Sequence, residues 1–272
     1  MLRGVGHEGS GSGGAHLLSL PSDRGIRRDP GGRRKLEPSA RFEEVKIPLG
    51  EEVGGVSAVS AMIGMPEWWP TGSRVGIVLA HGASGDFNDP LLVDLHQALT
   101  ARKYLTLRFN FPFAEARRRR PDAPAALERA LRAAVAVFAR DPTAAPAHLF
   151  VAGKGLGGRV AADVARAGLR VDGLIFLGYP LAAPGDPQHV RVEHLYRIVS
   201  PMFFLQGTRD RGCDVDVLRR TLTRVGAPTS LHVVPDADQH FKVPRKSGRS
   251  DTDVRGEILG LVDAWIHRVL GE

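Results

Sequence analysis

Six short runs of almost unbroken apolar residues recur between positions 74 and 236: "RVGIVLAHG", "YLTLRFNF", "AHLFVAG", "DGLIFLGYP", "PMFFLQG" and "SLHVVPD". Runs of this length without polar alternation are the mark of strands buried on both faces of a parallel sheet. Between most of them the apolar period lengthens to three and four. "DPLLVDLHQALTARK" sets Leu92, Leu95 and Leu99 on one side of a helix, "APAALERALRAAVAVFAR" repeats the spacing, and "GRVAADVARAG" and "DVLRRTLTRVG" are two further helices. "DVRGEILGLVDAWIHRVL" closes the chain with Ile258, Leu261, Ala264, Trp265 and Leu270 in helical register. Ahead of this alternation, "FEEVKIPLG" and "GGVSAVSAMIG" alternate charged or small residues with apolar ones, which predicts two strands joined by a turn at an antiparallel edge. Strand and helix then alternate, so the pattern predicts an α/β fold: a mostly parallel central sheet with helices on both faces.

Residues 1–40 break with this grammar. They are rich in Gly, Ser, Pro and Arg and carry no apolar period, which reads as a disordered basic tail with a cluster at Arg33, Arg34 and Lys35. The expected organisation is that tail followed by a single domain over 41–272. Its 43% apolar and 25% charged residues are ordinary globular values. The formal charge of +7 is carried mostly by scattered arginines without interleaved aromatics, which argues against a nucleic-acid partner. Cys213 is the one cysteine, so no intrachain disulfide can form, and no apolar run approaches the ~20 residues of a membrane helix. These features fit a cytoplasmic protein that is not held in a membrane.

The chemistry gathers at strand ends. "HLFVAG-KGLGG-RVAADVAR" has the form of a strand, a sharp turn and a helix, the setting of a nucleophile elbow, G-x-S-x-G. The frame here is Gly153, Lys154, Gly155, Leu156, Gly157, and the apex is glycine. The same residues also fit G-x-G-x-x-G at Gly153, Gly155 and Gly158, a dinucleotide fingerprint. That reading lacks its ribose-binding acid: "GLIFLGYP" ends without one, and Asp172 only begins that strand. "HGASGD" ends the first strand of the parallel set, where a hydrolase supplies one oxyanion-hole N–H; the other follows the nucleophile. The candidates are the backbone N–H groups of Ala83 and Leu156. "FFLQGTRD" places Asp210 after a strand as a triad-like acid, and "LHVVPDADQHFKV" places His240 after the last strand. The chain order of apex, acid and histidine is that of a hydrolase sheet.

These motifs, with "LRFNF", "AGKGLGGRVAA" and "DADQHFKVPRKSGRSDTDV", resemble one family over roughly residues 73–268. It is the α/β-hydrolase-like family of bacterial dienelactone-hydrolase-like proteins, with the vertebrate testis-expressed hydrolase-like protein related to a subunit of the NSL chromatin complex. The resemblance implies an α/β-hydrolase fold and ester or related acyl hydrolysis. The chain departs from the family in three places. The family elbow reads G-[KR]-S-M-G, so its serine falls on Gly155. The family reads D-H-S-F or N-H-S-M where this chain has "DQHF", so its histidine falls on Gln239 and His240 stands one place late. The family's histidine after "YPL" is replaced by Ala182. Asp210 alone keeps its identity.

The expectation is therefore a hydrolase fold with a degenerate triad, used for binding a small acyl or carboxylate ligand or a protein partner, with no cofactor and no metal. Two other readings stand beside it: an ester hydrolase with an unrecognised nucleophile or an activated water, with neither Ser84, in the oxyanion loop, nor Cys213, beyond the acid, expected to replace the serine, and a nucleotide-binding module. Arg117 to Arg120, with Arg245, Lys246 and Arg249, also follow strand ends and could form one positive rim.

Overall fold

A computed structural model describes residues 40–67, 69, 74–140, 145–183 and 186–272. The tail expected over residues 1–40, with its basic cluster, falls outside them up to residue 39.

The opening strands β1 (Arg41–Val53) and β2 (Val56–Met65) pair antiparallel, as their alternation predicts. The apolar runs become β3 (Val75–Ala80), β4 (Leu105–Phe109), β5 (His148–Lys154) and β6 (Gly173–Leu177). After β7 (Ala182–Ala183) and β8 (Asp186–Val190), which form a separate small antiparallel pair, come β9 (Met202–Gly207) and β10 (Thr229–Val234). The main sheet has eight strands in the order β1-β2-β4-β3-β5-β6-β9-β10, and every pairing beyond β2–β4 is parallel.

The helices are α1 (Pro90–Ala101), the single turn α2 (Pro112–Glu115), α3 (Pro124–Ala136), α4 (Leu156–Arg166), α5 (Val215–Leu222) and α6 (Asp251–Leu270). Alternation along the strands divides the core in two. Val78 and Ala80 of β3 face one layer with Leu131 of α3, Val160 of α4 and Leu218 of α5. Val75, Ile77 and Leu79 face the other, with Leu92 and Leu95 of α1 and Val254, Ile258 and Trp265 of α6. Burying a side chain of that size contributes ~1.5–3 kcal/mol, so the two layers fix the strand register and hence the position of every strand end. The Trp265 ring lies 5.5 Å from that of Phe203 and 6.0 Å from that of Phe150, which ties the last helix to β9 and β5.

Helix starts follow local chemistry. Asp89 caps α1 by accepting from the Leu91 N–H, ahead of Pro90 in the first turn. Ser250 and Asp253 form a reciprocal capping box at α6, and Gly271 closes that helix in the left-handed conformation. The turn α2 and the β7–β8 pair are the elements that the apolar pattern does not announce.

Candidate active site

The carboxyl ends of β3, β5, β6 and β9 open into one cavity of about 630 Å³. Its floor is the β5–α4 turn. β5 ends at Lys154, α4 begins at Leu156, and Gly155 alone makes the connection with φ 51° and ψ −112°. The turn is this tight because its neighbours have no side chains. A Cβ on Gly153 would sit 2.3 Å from the Gly157 carbonyl carbon, and one on Gly157 would sit 2.4 Å from the Ala80 oxygen. At Gly155 itself a Cβ would meet nothing within 4 Å. Position 155 is the tip of an elbow, open to the cavity, and it offers no nucleophilic atom.

Seven of the residues singled out in the sequence come to this cavity with Gly155: Ala83, Ser84, Leu156, Ala182, Asp210, Gln239 and His240. Leu156 is the first residue of α4, so its N–H is one of those that have no acceptor within the helix. Asp210 is buried, and both its oxygens are engaged: Oδ2 accepts from Gln206 Nε2 at 2.5 Å and Oδ1 from the Gly212 N–H at 2.7 Å. Burial pushes its carboxyl above the ordinary carboxylate range, and the charge of Asp238 adds to this; the Gly212 and Gln206 hydrogen bonds pull the other way. The imidazole of His240 takes its contact from a neighbour as well: Gln239 Nε2 donates to His240 Nε2 at 3.1 Å. Asp238 shapes the loop by accepting the His240 and Lys242 N–H groups at 2.8 and 3.0 Å.

Several members of the site escaped the sequence reading. Lys154 Nζ donates to Asp89 Oδ2 at 2.5 Å, with side chains only 7% and 14% exposed, so a buried ion pair ties the elbow to the loop that carries Ala83. The available signal was a lysine directly after an apolar strand. Gln206 is fully buried; it accepts the Tyr179 N–H at 2.9 Å and holds Asp210, and its signal was one polar residue inside "FFLQG". His81 is fixed by two bonds: its Nε2 accepts from the Phe111 N–H at 3.0 Å, so its Nδ1 carries the proton and donates to the Gly82 oxygen at 2.8 Å. Arg108 steadies the following turn from below through the Phe87 and Asn88 oxygens at 2.6 and 2.8 Å.

The remaining candidates divide between the cavity and places outside it. Cys213 is buried beside a second hollow that shares Asp210 with the cavity, and burial together with Asp210 and Asp214 pushes its thiol up, away from the reactive thiolate. Ser84 does line the cavity. Arg159 and Arg191 line the cavity, whereas Arg117 to Arg120, Arg245, Lys246 and Arg249 do not. Arg118 is ion-paired with Asp122 at 2.6 Å, and Arg249 is paired with Glu257. Ala182 lines the cavity without a titratable group. Asp172 accepts the Leu149 N–H at 2.7 Å at the opposite end of β5 and β6, away from any phosphate that a G-x-G-x-x-G turn would hold.

Residues 73–267 match the family of α/β-hydrolase domains. The chain belongs to that family. Solved structures of the same α/β-hydrolase fold include an α/β serine hydrolase without a lid from Xanthomonas campestris, 22% identical over 85% of this chain and 98% of that one, with a TM-score of 0.62. A dienelactone hydrolase from Anabaena variabilis is 18% identical over 82% and 96%, with a TM-score of 0.61. An α/β serine hydrolase homologue from Coxiella burnetii is 23% identical over 80% and 95%, with a TM-score of 0.60. At these identities the likeness is one of fold. Among the described residues of this α/β-hydrolase chain, no group of three or more His, Cys, Asp or Glu is placed to hold a metal ion, and no helix is long and apolar enough to cross a membrane.

Proposed function

We propose that this α/β-hydrolase chain has lost serine hydrolysis and uses the site to bind a small acyl or carboxylate compound. The observation that carries the proposal is Gly155 at the elbow tip, with φ 51° and ψ −112°, under an open cavity. A hydrolase puts its attacking oxygen at that point, and removing such an atom from a triad costs about a factor of a million in turnover. The rest of the triad-like set supports the same reading, since Asp210 and His240 are each bonded to glutamine amides. Binding capacity persists, because the cavity, Ala83 and Leu156 are in place.

The test is an assay of the purified full chain against short activated esters, beside the Gly155→Ser, Gln239→His double variant. The wild type is expected to match a heat-denatured control, and the double variant to exceed it. Wild-type turnover that a serine-directed covalent inhibitor abolishes, and that Ser84→Ala also abolishes, would show an enzyme with Ser84 as its nucleophile.

A further inference from the structure

We propose that the ligand of this cavity is an amphiphile with a phosphate head: its apolar part fills the cavity, and its phosphate stays outside the mouth on the guanidinium groups of Arg117, Arg119 and Arg120. The inference rests on the binding reading above and adds a site that the cavity lining does not contain.

The cavity by itself draws in neither sign of charge. Its lining holds three acids, Asp89, Asp163 and Asp210, and three bases, Lys154, Arg159 and Arg191. Lys154 is paired with Asp89 at 2.5 Å, and Arg159 faces Asp163 at 3.8 Å. That leaves the buried Asp210 to balance Arg191, which is exposed at the margin. A charged head has no net pull inward and would give up its water on entry. Pro121, Pro124, Leu156, Pro180 and Ala182 supply apolar wall, and the volume of about 630 Å³ has room for a chain of many carbons.

Unmatched charge begins one residue beyond that wall. β4 runs parallel to β3, so the segment after its carboxyl end emerges on the face where the cavity opens. It passes through α2 and four consecutive arginines to Pro121, a member of the wall. Its backbone is fastened, since the N–H groups of Arg117 and Arg118 donate to the Ala114 and Phe113 oxygens at 3.0 and 2.7 Å. Arg118 turns back to Asp122 at 2.6 Å and lies 2.8 Å from where a Cβ on Gly54 of the β1–β2 turn would stand. Glu115, next to the segment in the chain, is paired with Lys46, and Glu51 near that turn with Arg129, at 2.7 Å each. Arg117, Arg119 and Arg120 are exposed, and among the described residues their side chains have no hydrogen-bond or ion-pair partner. Three such groups within four residues suit a phosphate ester. It carries close to two charges on three oxygens, and the guanidinium fork meets phosphate with two bonds at once.

The experiment titrates the full chain with octyl phosphate, octanol and inorganic phosphate by calorimetry. Octyl phosphate is expected to bind about tenfold or more tightly than either of the others, and added salt should weaken it while leaving octanol unchanged. The Arg119→Gln, Arg120→Gln double variant should bring octyl phosphate down towards octanol, whereas Arg245→Gln, Lys246→Gln, an equal loss of charge away from the cavity, should not. Ala182→Trp, which fills part of the cavity, should weaken octyl phosphate and octanol alike. If that variant does not fold, shifts of the Leu156 methyl signals on adding octyl phosphate read the same contact. Equal affinity for octyl phosphate and octanol, equal losses in the two double variants, or binding that leaves both Leu156 and Ala182→Trp without effect overturns the inference. Octyl phosphate has no carboxylic ester bond, so its binding is read separately from ester turnover, the result that would overturn the non-catalytic reading.

Discussion

At Gly155 the backbone carries a conformation that residues with a Cβ seldom adopt, with φ at 51°. Because nothing crowds the added carbon, any penalty for a side chain there comes from the backbone alone and not from packing. Strain of this kind costs on the order of 1–3 kcal/mol, and glycine gives back part of that through its larger unfolded-state freedom. Gly155→Ala and Gly155→Ser should therefore destabilise the chain by ~1–2 kcal/mol each, and by nearly the same amount, since the Cβ and not the hydroxyl carries the cost. Denaturant unfolding of the three proteins at matched slope reads this directly; two variants as stable as the wild type would mean the turn relaxes freely. The apex was legible in the sequence because small residues flank it at fixed spacing. The hydrogen-bond partners of Asp210 and His240 were not, since they depend on which way a glutamine amide points once the strand ends are assembled.

Elements of the fold were readable wherever burial is two-sided. β3, β4, β6 and β9 are buried along their whole length, and β5 from Phe150 onward, so their sequences show no polar interruption there apart from the few buried polar groups that turn out to matter. The short α2 turn and the β7–β8 pair have too few residues to show a period. They are set by tertiary surroundings, as when Glu115 of α2 takes the Ser60 N–H at 3.0 Å and the Asn110 amide at 2.9 Å. The connection between loop and elbow belongs at this scale as well. Lys154 and Asp89 come from segments 65 residues apart and meet with little exposure to water. Removing one partner of a buried pair leaves a bare charge and typically costs about 3–5 kcal/mol, far more than removing both. Lys154→Met should thus be severely destabilising, and adding Asp89→Asn, which keeps an oxygen to cap α1, should recover much of the loss. Melting curves of the single and double variants check this; a double variant no more stable than Lys154→Met would show that the pair does not couple the two segments.

The whole molecule should weaken in acid from a higher pH than its carboxylates alone would dictate. His96 is buried, and burial with the nearby Arg108 charge brings it down to about 3; burial, then Arg159 and Arg166, bring His194 to about 4. A histidine lowered in the folded state takes up its proton first in the unfolded chain, so stability falls as pH drops below the ordinary value of 6.5 and continues to fall until the folded value is reached. Each such histidine contributes a slope of up to about 1.4 kcal/mol per pH unit within its window. Glu115 adds a later step. Burial would raise its carboxyl, but bonds from Lys46, Asn110 and Ser60 bring it down to about 2, so its contribution is complete above 4.5 and is lost between there and about 2. Unfolding free energy measured from neutral pH down to about 4 should decline throughout, and His96→Gln should remove one histidine's share of the slope. A flat profile over that range would exclude the buried histidines as its source. None of this was visible in the sequence, where a histidine in a helix and another in a loop carry no sign of their burial.

The steric saturation around the β5–α4 crossing also governs how the turn can drift. Gly153 and Gly157 are locked, because any side chain there would overlap the backbone of the facing segment, whereas position 155 is limited only by its dihedral angles. The shape of the elbow is thus guaranteed by residues that never take part in chemistry. A lineage can exchange the tip residue, lose its reaction and later regain it, while the architecture that presents the tip passes through unchanged.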